Sequence, residues 1–179
     1  MRMEIKAIET RYRGYRFRSR LEARWAVYFD ELGLKWEYEM EGFDLGGAGL
    51  YLPDFWLPQV NMWAEVKANE FNDTENAKAK ALANATDRPV LRLVGPPDFK
   101  TYMAFIPEKY YGEDIEVDHD ETDFLISMYH NYPINEHRFY ENSGYGGGWS
   151  FEGEWPDSGV RGAIEKSRST RFEHGETAQ

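Results

Sequence analysis

The chain has 179 residues, 41% of them hydrophobic, which is enough for one real core plus decoration. With 32 acidic and 21 basic residues its formal charge is −11, so its average field repels nucleic acid, and binding of one needs a local basic surface. Cysteine is absent, which excludes disulfides, cysteine metal ligands and cysteine nucleophiles. No apolar stretch reaches membrane-spanning length and Met1-Arg2-Met3-Glu4 starts no signal peptide, so a cytoplasmic protein without membrane contact is expected.

The first 24 residues carry a net +5 and the remainder a net −16. Arg11, Arg13, Arg16, Arg18, Arg20 and Arg24 interleave with Tyr12, Tyr15 and Phe17, a pattern suited to phosphate contacts with aromatic stacking. The alternative is a solvated strand whose arginines pair with Glu37, Glu39 and Glu41. Leu21, Trp25, Tyr28, Phe29 and Leu32 recur at helical spacing, with Gly33 as a stop. Ser19-Arg20-Leu21-Glu22 fits a capping box in front of that helix.

Lys35 to Glu39 alternates as a half-exposed strand extending toward Leu45, and Gly46-Gly47-Ala48-Gly49 reads as a hairpin turn. That turn lacks the lysine and hydroxyl residue of a phosphate loop. Leu50 to Leu57 reads as a second strand, which Pro58-Gln59-Val60-Asn61 folds back on a third around Glu65. Asp73 or Thr74 is expected to cap an alanine-rich helix running to Ala85, and Pro89 to Gly95 reads as a buried parallel strand. Thr101 to Ile106 suggests another strand and Phe124 to Tyr132 a helix. The acidic run from Glu113 to Asp123 is expected to be solvated, and His119, His130 and His137 lack metal-ligand spacing. Residues 142–159 read as irregular chain pinned by aromatics, and Arg161, Lys166, Arg168 and Arg171 as a mobile basic tail. The expected division is a core over 1–100, an acidic extension over 101–141, and a Gly/aromatic-rich segment and tail over 142–179.

The chemistry concentrates in Pro53-Asp54 and Glu65-Val66-Lys67. Strand period sends residues i and i+2 to one face about 6 to 7 Å apart, so Glu65 and Lys67 project together and the hairpin brings Asp54 beside them. Two converging carboxylates suit a hard cation, with the Val66 carbonyl as a further ligand, and a neighbouring lysine can orient a water or neutralise phosphate charge. Pro97-Asp98, Pro156-Asp157 and Glu4-Ile5-Lys6 repeat the fragments but lack the order and strand setting.

Pro53-Asp54 followed by Glu65-Val66-Lys67, behind a helix carrying Glu22, resembles the PD-(D/E)XK nuclease superfamily over about residues 11 to 97, half the chain. The strings Tyr15 to Trp25, Trp36 to Glu39 and Tyr51 to Pro58 are similar to small bacterial and phage nuclease-like proteins. The resemblance implies an α/β, restriction-endonuclease-like αβββαβ core with a mixed sheet flanked by helices and a C-terminal appendage. It also implies Mg²⁺- or Mn²⁺-dependent hydrolysis of DNA, with RNA left open. Asp54, Glu65 and the Val66 carbonyl would hold metal, Lys67 would be catalytic, and Glu22 would be an accessory metal-site acid. Arg16, Arg18, Arg20, Arg24 and Lys78 would bind nucleic acid. A homodimer stays open, and no small-molecule cofactor is expected. The alternative is an inactive nuclease-like fold serving as a nucleic-acid- or protein-binding regulatory module, phage-encoded or otherwise.

Overall fold

A computed structural model of the chain describes residues 8–98, 103–105, 107–108, 140–141, 149–150 and 157–172. The acidic run, the Phe124 to Tyr132 helix, the three histidines and most of the Gly/aromatic-rich segment lie outside them. The architecture is α/β: a five-stranded mixed sheet with helices on its two faces.

Strands β1 (Thr10–Tyr12) and β2 (Tyr15–Phe17) form an antiparallel hairpin. Its two turn residues, Arg13 and Gly14, have φ of 47° and 83°, the left-handed pair that a tight two-residue hairpin demands. Helix α1 (Arg20–Glu31) follows, with Ser19 at its N-cap. Asp30 ties these pieces together, accepting hydrogen bonds from Tyr12 Oη at 2.6 Å and Trp36 Nε1 at 3.1 Å and pairing with Arg13 at 3.0 Å. Burial and then Asp30 push the Tyr12 phenol up to about 12.

The sheet is ordered β3 (Glu37–Tyr38), β6 (Phe55–Leu57), β7 (Met62–Lys67), β8 (Val90–Val94), β9 (Met103–Phe105). Only the β7–β8 pair is parallel, and α2 (Asp73–Thr86) makes that crossover. β3 is shorter than its alternation suggests because Glu39, at φ 46°, leaves the strand and donates its N–H to the Asp54 carbonyl at 2.9 Å. The expected Leu50 to Leu57 strand is split. β5 (Leu50–Tyr51) pairs with β4 (Phe43–Asp44) outside the main sheet, and the chain rejoins at Phe55 after Pro53, which has no N–H for a ladder. The cap of α2 is Asn72, one residue earlier than expected, in a reciprocal capping box with Glu75. Either Asn or Asp can fill that role, and the N–H of Glu75 selected Asn72.

The period-two pattern sorts the core. Phe55, Leu57, Met62, Ala64, Val66, Leu91 and Leu93 pack against α1, whereas Trp63 and Val90 pack against Ala79, Leu82 and Ala83 of α2. Phe55 is fully buried and its ring meets Phe17, Phe29, Trp36 and Tyr38.

The residues expected to form a mobile tail instead form helix α3 (Asp157–Ser169), which lies on α1. Ala163, Ile164 and the following Phe172 are buried in the α1-side core, so apolar burial immobilises a segment whose basic residues suggest solvation. A separate antiparallel ladder joins β10 (Tyr140–Glu141) to β11 (Trp149–Ser150).

Urea unfolding of Phe55→Ala is expected to show a loss of about 3–5 kcal/mol with an unchanged m-value, the cost of a large cavity among four rings. Loss of the α2 cap in Asn72→Ala is expected to cost about 1 kcal/mol by the same measurement.

Candidate active site

Asp54 leaves the bend before β6, and Glu65 and Lys67 project from β7. The register sets Phe55 opposite Ala64 and Leu57 opposite Met62, so Asp54 comes alongside Glu65 and Val66. Trp56 and Trp63 share the α2 face with these polar residues, their rings 4.6 Å apart.

The geometry is tight. The Val66 N–H donates to Asp54 Oδ2 at 2.7 Å, and the Asp54 N–H reaches Glu65 Oε2 at 3.4 Å. Lys67 Nζ donates to Glu65 Oε1 at 2.6 Å and lies 3.9 Å from Glu75 Oε1. Asp54 and Glu65 are buried, while the Lys67 side chain is 31% exposed, so the lysine forms the solvent edge of the site.

Tyr51 also reaches Glu65 with its hydroxyl; burial and then Glu65 raise its phenol far above the ordinary value, keeping it a neutral donor. Neither Tyr51 nor Glu75 is part of the sequence motif. Tyr51 stands three residues before Asp54, where the proline break turns it toward Glu65. Glu75 carried a readable sign, since Asn72-Asp73-Thr74-Glu75 matches a capping box on the helix after β7.

Glu22 lies near this pair but is differently engaged. Its Oε1 accepts from Ser19 Oγ at 2.6 Å, and its Oε2 accepts from Tyr38 Oη at 2.5 Å and from the Arg18 N–H at 3.1 Å. The Glu22 N–H returns to Ser19 Oγ at 3.2 Å, so the residue caps its own helix while buried. The reach back is to the Arg18 amide, one residue before the N-cap amide of an ordinary capping box. Burial and Glu22 raise the Tyr38 phenol as well.

Electrostatically the site holds more negative charge than its protein groups balance. Burial, then the charges of Glu65 and Glu22, push the Asp54 carboxyl well above its usual range, against the pull of the Val66 N–H and Lys67. Burial works to lower the Lys67 ammonium, but Glu65, Asp54 and Glu75 outweigh it and hold its pKa above the ordinary value. Two buried carboxylates in mutual repulsion, one of them bonded to a lysine, are a donor set that fits a hard divalent cation completing its shell with water. Among the described residues no group of three or more His, Cys, Asp and Glu is arranged to hold a metal ion.

The basic candidates separate. Arg16 pairs with Glu9, and Arg18 pairs with Glu39 at 2.6 Å, the only one of the anticipated Glu37, Glu39 and Glu41 partnerships among the described residues' ion pairs given by the structure. Lys78 Nζ turns to the Leu50 carbonyl at 3.4 Å, beside Tyr51 but without an ion pair to the carboxylates. Arg20 and Arg24 line a cavity elsewhere, with Arg168 and Arg171. No helix of the described residues is long and apolar enough to cross a membrane. Comparison with known proteins gave no matching family model, no matching curated protein and no matching solved structure.

A carboxyl whose pKa is raised on folding takes up a proton that the unfolded chain has lost. Its effect is a stability that falls as pH climbs from the unfolded value near 4 through the folded one. Asp54→Asn removes that slope and keeps an oxygen for the Val66 N–H. Thermal melts between pH 4 and 8 in EDTA are expected to show the variant melting above the parent at pH 7, with the difference shrinking toward pH 4; a pH-independent difference would contradict the raised carboxyl.

Proposed function

We propose that the chain is a divalent-metal-dependent nuclease that hydrolyses nucleic-acid phosphodiester bonds. One observation carries the reading: two buried carboxylates and a half-buried lysine meet on one sheet face, joined through Val66 N–H to Asp54 and Lys67 Nζ to Glu65. The order helix, three main-sheet strands, helix, strand around them supports the restriction-endonuclease-like αβββαβ comparison, as does the parallel β7–β8 pair.

Asp54 and Glu65, with the Val66 carbonyl, would hold Mg²⁺ or Mn²⁺. Such an ion supplies charge neutralisation on the phosphate and acidifies water. Lys67 stays protonated at neutral pH, so its role is electrostatic: Glu65 holds the ammonium at the exposed edge, where it meets a phosphate oxygen as negative charge develops or orients the attacking water by hydrogen bonding. Tyr51 and the Asp54 N–H hold Glu65 in place, and the Val66 N–H holds Asp54. Glu22 acts as an accessory through its charge, while Ser19, Tyr38 and Arg18 keep its oxygens occupied.

The test is cleavage of supercoiled plasmid DNA, single-stranded DNA and RNA in Mg²⁺, Mn²⁺ and EDTA. Metal-dependent cleavage is expected, lost by about 100-fold or more in Lys67→Ala and Asp54→Ala, as for removal of one preorganised charge at a transition state. Tyr51→Phe is expected to lower the rate by a smaller factor. Cleavage that survives both alanine substitutions overturns the mechanism. Nucleic-acid binding with no cleavage under either metal, and no metal-induced rise in melting temperature, would assign the fold to a binding module.

A further inference from the structure

A second concentration of chemistry lies away from the carboxylates. Arg20 and Arg24, four apart on α1 and therefore on one helix face, meet Arg168 of α3 and Arg171 just beyond it around a cavity of about 370 Å³. Among the described residues Ser169, Thr170 and Phe172 complete its lining, and none of these is acidic. Arg168 donates to the Pro97 carbonyl at 3.0 Å and pairs with Asp98 at 2.8 Å, which fixes it at the rim. Arg20, Arg24 and Arg171 have no acidic partner among the described residues, and the buried Arg20 Nε has no hydrogen-bond acceptor.

In a chain of net charge −11, Arg20, Arg24 and Arg171, without an acidic partner among the described residues, gather beside Arg168, whose one acidic partner there is Asp98, and make a basic cavity suited to an anion. Burial, then the charges of Arg20 and Arg168, lower the Arg24 pKa. The hydroxyls of Ser169 and Thr170 already donate to the Lys166 carbonyl, as does the Thr170 N–H, so the free donors are guanidinium N–H groups. Planar forks of this kind match tetrahedral oxyanions in bidentate fashion.

We infer that Arg20, Arg24, Arg168 and Arg171 form a phosphate-binding site, built where α1 and α3 meet and separate from the Asp54–Glu65 pair. The inference stands on these residues and does not require that the chain cleave anything. The cavity nevertheless belongs to the same rim of the sheet as Lys67. The Gly95 N–H takes the Lys67 carbonyl at 2.8 Å, Trp25 of α1 holds the Gly95 carbonyl at 2.9 Å, and Arg168 holds Pro97 two residues on. A nucleic-acid strand with one phosphate at Lys67 could lay another at the arginines, whereas a small phosphoester would occupy the cavity alone.

The experiment is calorimetric titration of the full chain in EDTA with inorganic phosphate, followed by a short single-stranded DNA and a short duplex. Arg24→Ala and Arg171→Ala are compared with Arg88→Ala, which removes one half-buried arginine outside the cavity. Saturable phosphate binding is expected, about tenfold weaker in each cavity variant and unchanged in Arg88→Ala, the loss appropriate to one charge-assisted hydrogen bond. Arg171 follows the end of α3 and is exposed, so its variant keeps the test informative if Arg24→Ala unfolds. DNA binding that weakens in the same variants assigns the phosphate to a nucleic-acid backbone, and DNA binding that ignores them assigns it to a small phosphoester. No saturable phosphate binding, or equal loss in Arg88→Ala, overturns the site. Because metal is absent, the result is independent of whether the carboxylates support hydrolysis.

Discussion

The antiparallel register of β6 on β7 is the constraint from which the rest of the molecule follows. With Phe55 opposite Ala64, one face of the pair receives Phe55, Leu57, Met62, Ala64 and Val66, and the other receives Asp54, Glu65 and Lys67. A slip by one residue would carry the carboxylates into the aromatic cluster beneath α1 and expose Phe55. The rings of Phe17, Phe29, Trp36 and Tyr38 around Phe55 make that exchange very unfavourable. The polar site thus holds its geometry because the apolar side of the same two strands cannot move.

Placing carboxylates in such a sheet carries a desolvation cost that fixed donors only partly offset. Asp54 has the Val66 N–H; Glu65 has Lys67, Tyr51 and a long contact from the Asp54 N–H; Glu22 has Ser19, Tyr38 and the Arg18 N–H. The remaining imbalance is visible in the raised Asp54 carboxyl. The basic residues show the opposite imbalance. Around the first hairpin they find carboxylates, Arg13 on Asp30, Arg16 on Glu9 and Arg18 on Glu39, whereas Arg20 and Arg24 turn to a cavity shared with two further arginines. Surface pairs of the first kind contribute roughly 0–1 kcal/mol each, so they set local shape more than stability. Among the described residues, carboxylates therefore gather at one site and guanidinium groups at another.

Much of this frame was readable from residue order. Helical spacing marked α1, alternation marked β7, a continuous apolar run marked β8, and the Gly46 to Gly49 stretch marked a turn. The spacing of Asp54, Glu65 and Lys67 located the polar cluster because strand period and a hairpin of known span are local properties. The split of the second strand was not read, since Leu50 to Leu57 reads as one strand; Pro53, which has no N–H for a ladder, breaks it. Tyr51 was hidden because its role depends on where the chain goes after leaving β5. Helix α3 was hidden because Gly159, Gly162 and Ala163 give a weak apolar signal, and its stability comes from burial against α1.

Period and spacing in the chain specify which residues share a face, since backbone geometry repeats over a few residues whatever surrounds it. That was sufficient for individual helices and strands and for the company of Glu65 with Lys67. Contacts between elements distant in the chain were settled only by folding: Glu22 with Tyr38, Tyr51 with Glu65, and Arg20 and Arg24 with Arg168 and Arg171. They depend on how helices and sheet bury their apolar faces together, and no short-range pattern encodes that closure.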